Sequence, residues 1–152
     1  MFYLLIFTII VFDQLSKYYI QTTMVLNSSI PVIDGLFSIT YIQNTGAAFS
    51  LMQGKTNVLI LIQAFVILAI LVYVFLKKNP LHWSLLVSLA LIVGGGAGNL
   101  IDRIRYGYVI DYLHFHFWPI FNLADISVCI GCGLLIIYVF FIEGKEKNGK
   151  QI

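Results

Sequence analysis

Four stretches of this chain stay apolar over a length that crosses a bilayer, at about 2–21, 57–76, 82–102 and 123–142. A hydrocarbon core of ~30 Å takes about 20 helical residues. Backbone polar groups left unpaired in lipid are costly, so each stretch is expected as a helix. Between the stretches the period changes. Phe37-Ser38-Ile39-Thr40-Tyr41 and Leu113-His114-Phe115-His116-Phe117 alternate apolar and polar, as strands with one covered face do. The expectation is a mostly α membrane protein, a single domain over 1–152. Its four transmembrane helices carry a small β-sheet, built from the outer loops and lying at the membrane surface.

Composition narrows the class. The 152 residues are 60% hydrophobic and only 11% charged, outside the range of ordinary soluble domains. The few charges therefore set the topology. Lys77-Lys78-Asn79-Pro80 joins the second and third stretches, and Lys145, Lys147 and Lys150 follow the fourth. The positive-inside rule places both segments, and hence both termini, in the cytoplasm, with the loops at about 22–56 and 103–122 outside. The first stretch contains Asp13 and Lys17, lacks a basic lead and is followed by no small-residue cleavage pattern. It reads as a retained span rather than a signal peptide. A net charge of +2, with no basic run interleaved with aromatics, argues against a nucleic-acid partner.

Polar residues inside such stretches carry the chemistry. Asp13 and Lys17 share a helix face at i, i+4, and Asn99, Asp102 and Arg103 share another. Asp111 lies in Val109-Ile110-Asp111-Tyr112, and Asp125 closes Phe121-Asn122-Leu123-Ala124-Asp125. One Asp at a bilayer centre costs roughly 2.5–3.5 kcal/mol on insertion scales. Two carboxyls within hydrogen-bond reach cannot easily both ionise, so they share a proton. The topology brings all these residues to the outer level of the membrane. For Asp13, Lys17 and Asp102 a purely structural network, holding the helices in register, stands beside a functional one. Gly94-Gly95-Gly96-Ala97-Gly98 completes no phosphate-loop template and reads as a helix-packing surface. Cys129 and Cys132 have C-x-x-C spacing but sit in an apolar helix, so they read as packing residues.

The motifs are together similar to those of the bacterial lipoprotein signal peptidases (signal peptidase II). The similarity runs through Asp13-Gln14-Leu15-Ser16-Lys17 and Asn44-Thr45-Gly46-Ala47-Ala48-Phe49-Ser50. It continues in Gly96-Ala97-Gly98-Asn99-Leu100-Ile101-Asp102-Arg103, Val109-Ile110-Asp111-Tyr112 and Phe121-Asn122-Leu123-Ala124-Asp125. The resemblance implies an aspartic endopeptidase of the bacterial cytoplasmic membrane, acting toward the outer face, with Asp111 and Asp125 as its dyad. It implies a substrate too: a prolipoprotein, cut just before its diacylglyceryl-modified cysteine. Asn44, Asn99, Arg103 and Asn122 would then hold substrate backbone and carboxyls, with Asp13 and Lys17 in support. No cofactor or metal is implied, and the expected partners are prolipoproteins and membrane lipid, with the protein a monomer.

Two other classes compete. His114 and His116 could face one side of a strand and bind a metal, but no H-E-x-x-H occurs and catalytic zinc usually takes three protein ligands. A transporter or channel subunit would place its charges near the midplane of repeated halves. Here the halves do not resemble each other, and the charges lie toward one face.

Overall fold

A computed structural model, which describes residues 1–46 and 54–142, places all of its strands at one end of a helix bundle and the Lys77-Lys78-Asn79-Pro80 connection at the other. The element order is α1 (Phe2–Thr23), β1 (Ser29–Ile33), β2 (Phe37–Asn44), α2 (Thr56–Leu76), α3 (Trp83–Tyr106), β3 (Val109–Phe115) and α4 (Leu123–Ile137). A π-helical turn, Tyr138–Ile142, extends α4. Among the described residues four helices, the last counted through Ile142, are long and apolar enough to cross a membrane. Ala47–Ser50 of the first outer loop and the tail lysines Lys145, Lys147 and Lys150 lie outside the described residues.

The third helix is the hub. It packs against α1, α2 and α4, and its buried face includes Leu85, Ser88, Leu89, Val93, Gly95 and Asn99. The glycine run makes this possible. A side chain at Gly95 would collide with the backbone carbonyl of Ala124, and one at Gly98 with the carboxylate of Asp13. Helix α2 has only Leu59 buried and presents Leu61, Phe65, Leu68 and Phe75 outward, as a lipid-facing helix does. Cys129 and Cys132 are free and on the exposed side of α4. They do not fill the core as expected, because Gly131 takes the close contact with α3, against Ser88 and Ile92.

Where α3 ends, the chain turns sharply into a strand. Gly107 adopts φ 80 and donates its N–H to the Arg103 carbonyl, a left-handed helix stop that glycine tolerates best. The helix runs to Tyr106, one turn beyond the expected end at 102, because Asp102, Arg103 and Arg105 find partners or solvent there. Strand β3 then starts at Val109 rather than Leu113 and stops at Phe115 rather than Phe117. Asp111 therefore sits on a strand.

The sheet has three antiparallel strands in the order β1-β2-β3, and β1 has no counterpart in the alternation read from the sequence. Ser38 pairs with His114 and Phe37 with Phe115, and a bulge lies between Ile39 and Ile42. The covered face differs from the simple alternation. Ser38 and Thr40 are buried, satisfied by His116 at 3.0 Å and His114 at 3.3 Å, with Ser29 on Thr40 at 2.8 Å. The opposite side carries Ile39 and Tyr41, packed with Ile20 and Ile110. The bulge places Thr40 and Tyr41 in buried positions consecutively, which strict alternation does not allow.

Candidate active site

Helix α4 opens with Asn122 at its N-cap, and this one residue organises both aspartates. Its Oδ1 accepts the Asp125 backbone N–H at 3.0 Å, while Asp125 Oδ2 accepts the Asn122 N–H at 3.1 Å, a reciprocal capping box. The free side of the Asn122 amide donates to Asp111 Oδ1 at 2.7 Å. Asn122 is fully buried, so the cap doubles as a clamp. Backbone pairing supplies the approach. Tyr112 and Leu113 N–H both bond the Phe121 carbonyl, so the chain folds back and delivers Asn122 beside Asp111.

Each carboxylate is held by neutral amides. Asp111 accepts from Asn122 and, at Oδ2, from Asn44 Nδ2 at 2.8 Å. Asp125 accepts from Asn99 Nδ2 at 2.8 Å as well as from the Asn122 backbone. Amide donors fix a carboxyl in place without cancelling its charge, so a proton can still be shared. Burial, with repulsion from Asp125 added, pushes the Asp111 carboxyl up to about 7.

The cationic residues stand one step back. Lys17, only 2% exposed, donates to Asp13 at 2.8 Å, Asp102 at 2.9 Å and Asn99 Oδ1 at 2.9 Å. Its three donors are thereby consumed. Asp13 in turn accepts the Ala124 N–H at 3.0 Å, and Asp102 accepts the Ile110 N–H at 3.2 Å. This network fixes the residues preceding each member of the pair. Asp13 lies halfway along α1, roughly 15 Å from its end at 1.5 Å per residue, so the network reaches deeper than the outer level expected for it. Lys17, one turn further along α1, spans that depth.

Arg103 departs from the rest of the cluster. It does not bond either carboxylate directly. Its Nη2 donates to the Gly46 carbonyl at 2.8 Å and its Nη1 to Gln63 Oε1 at 3.0 Å. Gln63 and Gln14 received no role from the sequence. Gln14 donates to Asp102 at 2.9 Å and to the Gly98 carbonyl at 3.2 Å. Its position beside Asp13 was the available signal, and for Gln63 the signal was a carboxamide inside the otherwise apolar run 58–72 of α2. His114 and His116 instead meet the hydroxyls of Thr40 and Ser38. Among the described residues no three His, Cys, Asp or Glu side chains converge as metal ligands would.

Membrane-length helices that bring two amide-clamped carboxyls to one buried asparagine define the class, a polytopic membrane protein with an acidic polar centre. The comparisons give the particular kind. The chain belongs to the signal peptidase (SPase) II family, whose model matches residues 5–141. It is 44% identical to the lipoprotein signal peptidase of Halothermothrix orenii over 149 residues, covering 98% of this chain and 99% of the relative. It is likewise 44% identical to that of Moorella thermoacetica over 146 residues, 95% of this chain and 96% of the relative. Two solved bacterial membrane enzymes share the fold. One, at 2.3 Å resolution, has a TM-score of 0.84 and 35% identity, covering 91% of this chain and 86% of its own. The other, at 1.9 Å, has a TM-score of 0.82 and 34% identity, covering 93% of each chain.

Proposed function

We propose that Asp111 and Asp125 are the acid–base pair with which this peptidase removes the signal peptide of a prolipoprotein, just before its diacylglyceryl-modified cysteine. The observation that carries the reading is the shared clamp: Asn122 holds Asp111 through its side chain and Asp125 through its backbone and amide oxygen. Hydrolysis of an amide needs a base for water and an acid for the leaving amine. A carboxyl pair with one proton supplies both. One carboxylate takes a proton from water as its oxygen attacks the scissile carbonyl, and the other carboxyl protonates the developing oxyanion. As the C–N bond breaks, the pair gives a proton to the leaving amine and takes one back from a hydroxyl of the diol intermediate, so it ends with one proton as it began. The two groups titrate as a unit, so the roles belong to the pair.

Asn44, Asn99 and Asn122 keep the carboxyls in place, and Arg103 is the donor available to a peptide carbonyl. Asp13, Lys17 and Asp102 act in support. The lysine asymmetry supports a topology with both termini in the cytoplasm and this site toward the outer leaflet of the cytoplasmic membrane, and the reading takes the protein to work as a monomer.

The lipid on the substrate has a physical task. Each buried methylene contributes about 0.8 kcal/mol, so two acyl chains outweigh contacts from one small side chain. That energy fixes the depth of the scissile bond against the pair and raises the frequency of productive attack. The test is incubation of the purified protein with lipidated and unlipidated forms of one prolipoprotein, read by gel shift. Cleavage of the lipidated form alone is expected. Equal rates on both would identify a general intramembrane aspartic protease.

A further inference from the structure

Gln63 is the only polar side chain between Val58 and Val72 of α2. A carboxamide among such residues is costly unless it is bonded, and a bland account would let it simply tie α2 to α3. The bonds do not stop there. Gln63 Oε1 accepts from Arg103 Nη1, and Arg103 Nη2 holds the Gly46 carbonyl. The Gly46 N–H donates to Asn44 Oδ1 at 2.9 Å, and Asn44 Nδ2 donates to Asp111 Oδ2 at 2.8 Å. Gly46 is thus gripped at both its carbonyl and its N–H. With its oxygen taken by Gly46, the Asn44 amide must turn its nitrogen to Asp111.

We propose that Gln63 is a positioning residue for the peptidase reaction, setting the plane of the Arg103 guanidinium and, through Gly46 and Asn44, the hydrogen bond on Asp111. The proposal rests on Asp111 and Asp125 being the reacting pair. A planar guanidinium held at two nitrogens by acceptors from two elements cannot swivel. Held by the Gly46 carbonyl alone it can, and the turn at Asn44 then loses its reference point. Asp111 also faces Asp125 from α4, with Lys17 of α1 and Arg103 of α3 as nearby cations. None of these depends on Gln63 except Arg103.

The experiment compares wild type, Gln63→Leu, Gln63→Glu and Asp111→Asn on a lipidated prolipoprotein, with kcat, KM and the pH profile measured for each. Leucine suits a lipid-facing helix, so insertion is preserved, and glutamate keeps the acceptor that Arg103 needs. The expected result for Gln63→Leu is a kcat lower by about tenfold or more, as small displacements of reacting groups produce, with KM unchanged. Its alkaline limb should also move to higher pH, since the Asn44 bond favours the ionised Asp111. Gln63→Glu should match wild type in kcat and in the limb. A wild-type kcat and pH profile in Gln63→Leu, or a Gln63→Glu variant as impaired as Gln63→Leu, would overturn the proposal. Normal turnover by Asp111→Asn would instead overturn the dyad reading on which it rests.

Discussion

Lys17 Nζ meets Asn99 Oδ1 at 2.9 Å, and that contact decides which way the Asn99 amide points. An ammonium can only donate, so the oxygen of Asn99 must face Lys17 and its nitrogen must face Asp125, which it reaches at 2.8 Å. Asn122 Nδ2 donates to the same Asn99 oxygen at 3.0 Å and reinforces the choice. A buried ion network in α1 and α3 thereby orients a neutral donor on a carboxylate in α4. Charge is kept off the pair while its geometry is fixed.

Removal of the lysine should therefore be felt first as instability. Lys17→Met leaves Asp13 and Asp102 buried without their shared cation. Breaking a buried pair in this way costs roughly 3–5 kcal/mol, or about 10 °C of Tm for a chain of this size. Thermal unfolding of the purified protein in detergent measures it. An unchanged Tm would show that the carboxylates at 13 and 102 do not rely on Lys17.

Activity should fall as pH rises through about 7, where the buried Asp111, pressed by Asp125, gives up its proton. Asn44 donates to that carboxylate and favours its ionised form, so Asn44→Ala should move the limb of the kcat/KM profile upward. The same group makes the fold less stable with rising pH. Its folded value is raised above an unfolded value near ~3.9, so the unfolded chain binds fewer protons across that window. A limb that stayed in place in Asn44→Ala would detach Asp111 from the pH dependence.

The rate should be indifferent to chelation. The carboxyls of the site are engaged by amides, and the paired histidines by hydroxyls, which leaves no convergent ligand set among the described residues. Dialysis against a strong chelator followed by assay checks this. Lost activity that zinc restores would contradict it.

Much of this arrangement was legible in the chain because lipid leaves so few polar residues unexplained. The helices follow from runs of apolar residues, and Asp13, Lys17, Asn99 and Asp102 stand out on their faces by i, i+3 and i+4 spacing. The capping box of Asn122 and Asp125 is itself a local pattern, an Asn followed three residues later by a carboxylate at the start of an apolar run. The sheet was harder. β1 is exposed along its whole length and carries no alternation to read, and the bulge in β2 breaks the period at the point where Asp111 pairs. Gln63 and Gln14 escaped notice for a different reason. A lone amide reveals its role only through its partner, and Arg103 lies 40 positions from Gln63, beyond any local spacing rule.

The central claim is that Asp111 and Asp125 act as one unit, and single and double substitution tests it most directly. Asp111→Asn, Asp125→Asn and the double variant, each confirmed as inserted and folded, would be assayed for cleavage of a lipidated prolipoprotein. Groups that act together are non-additive, so either single change should abolish turnover and the double variant should be hardly worse. Turnover above about a tenth of wild type in either single variant, a loss of under ~1.4 kcal/mol in transition-state stabilisation, would contradict the account.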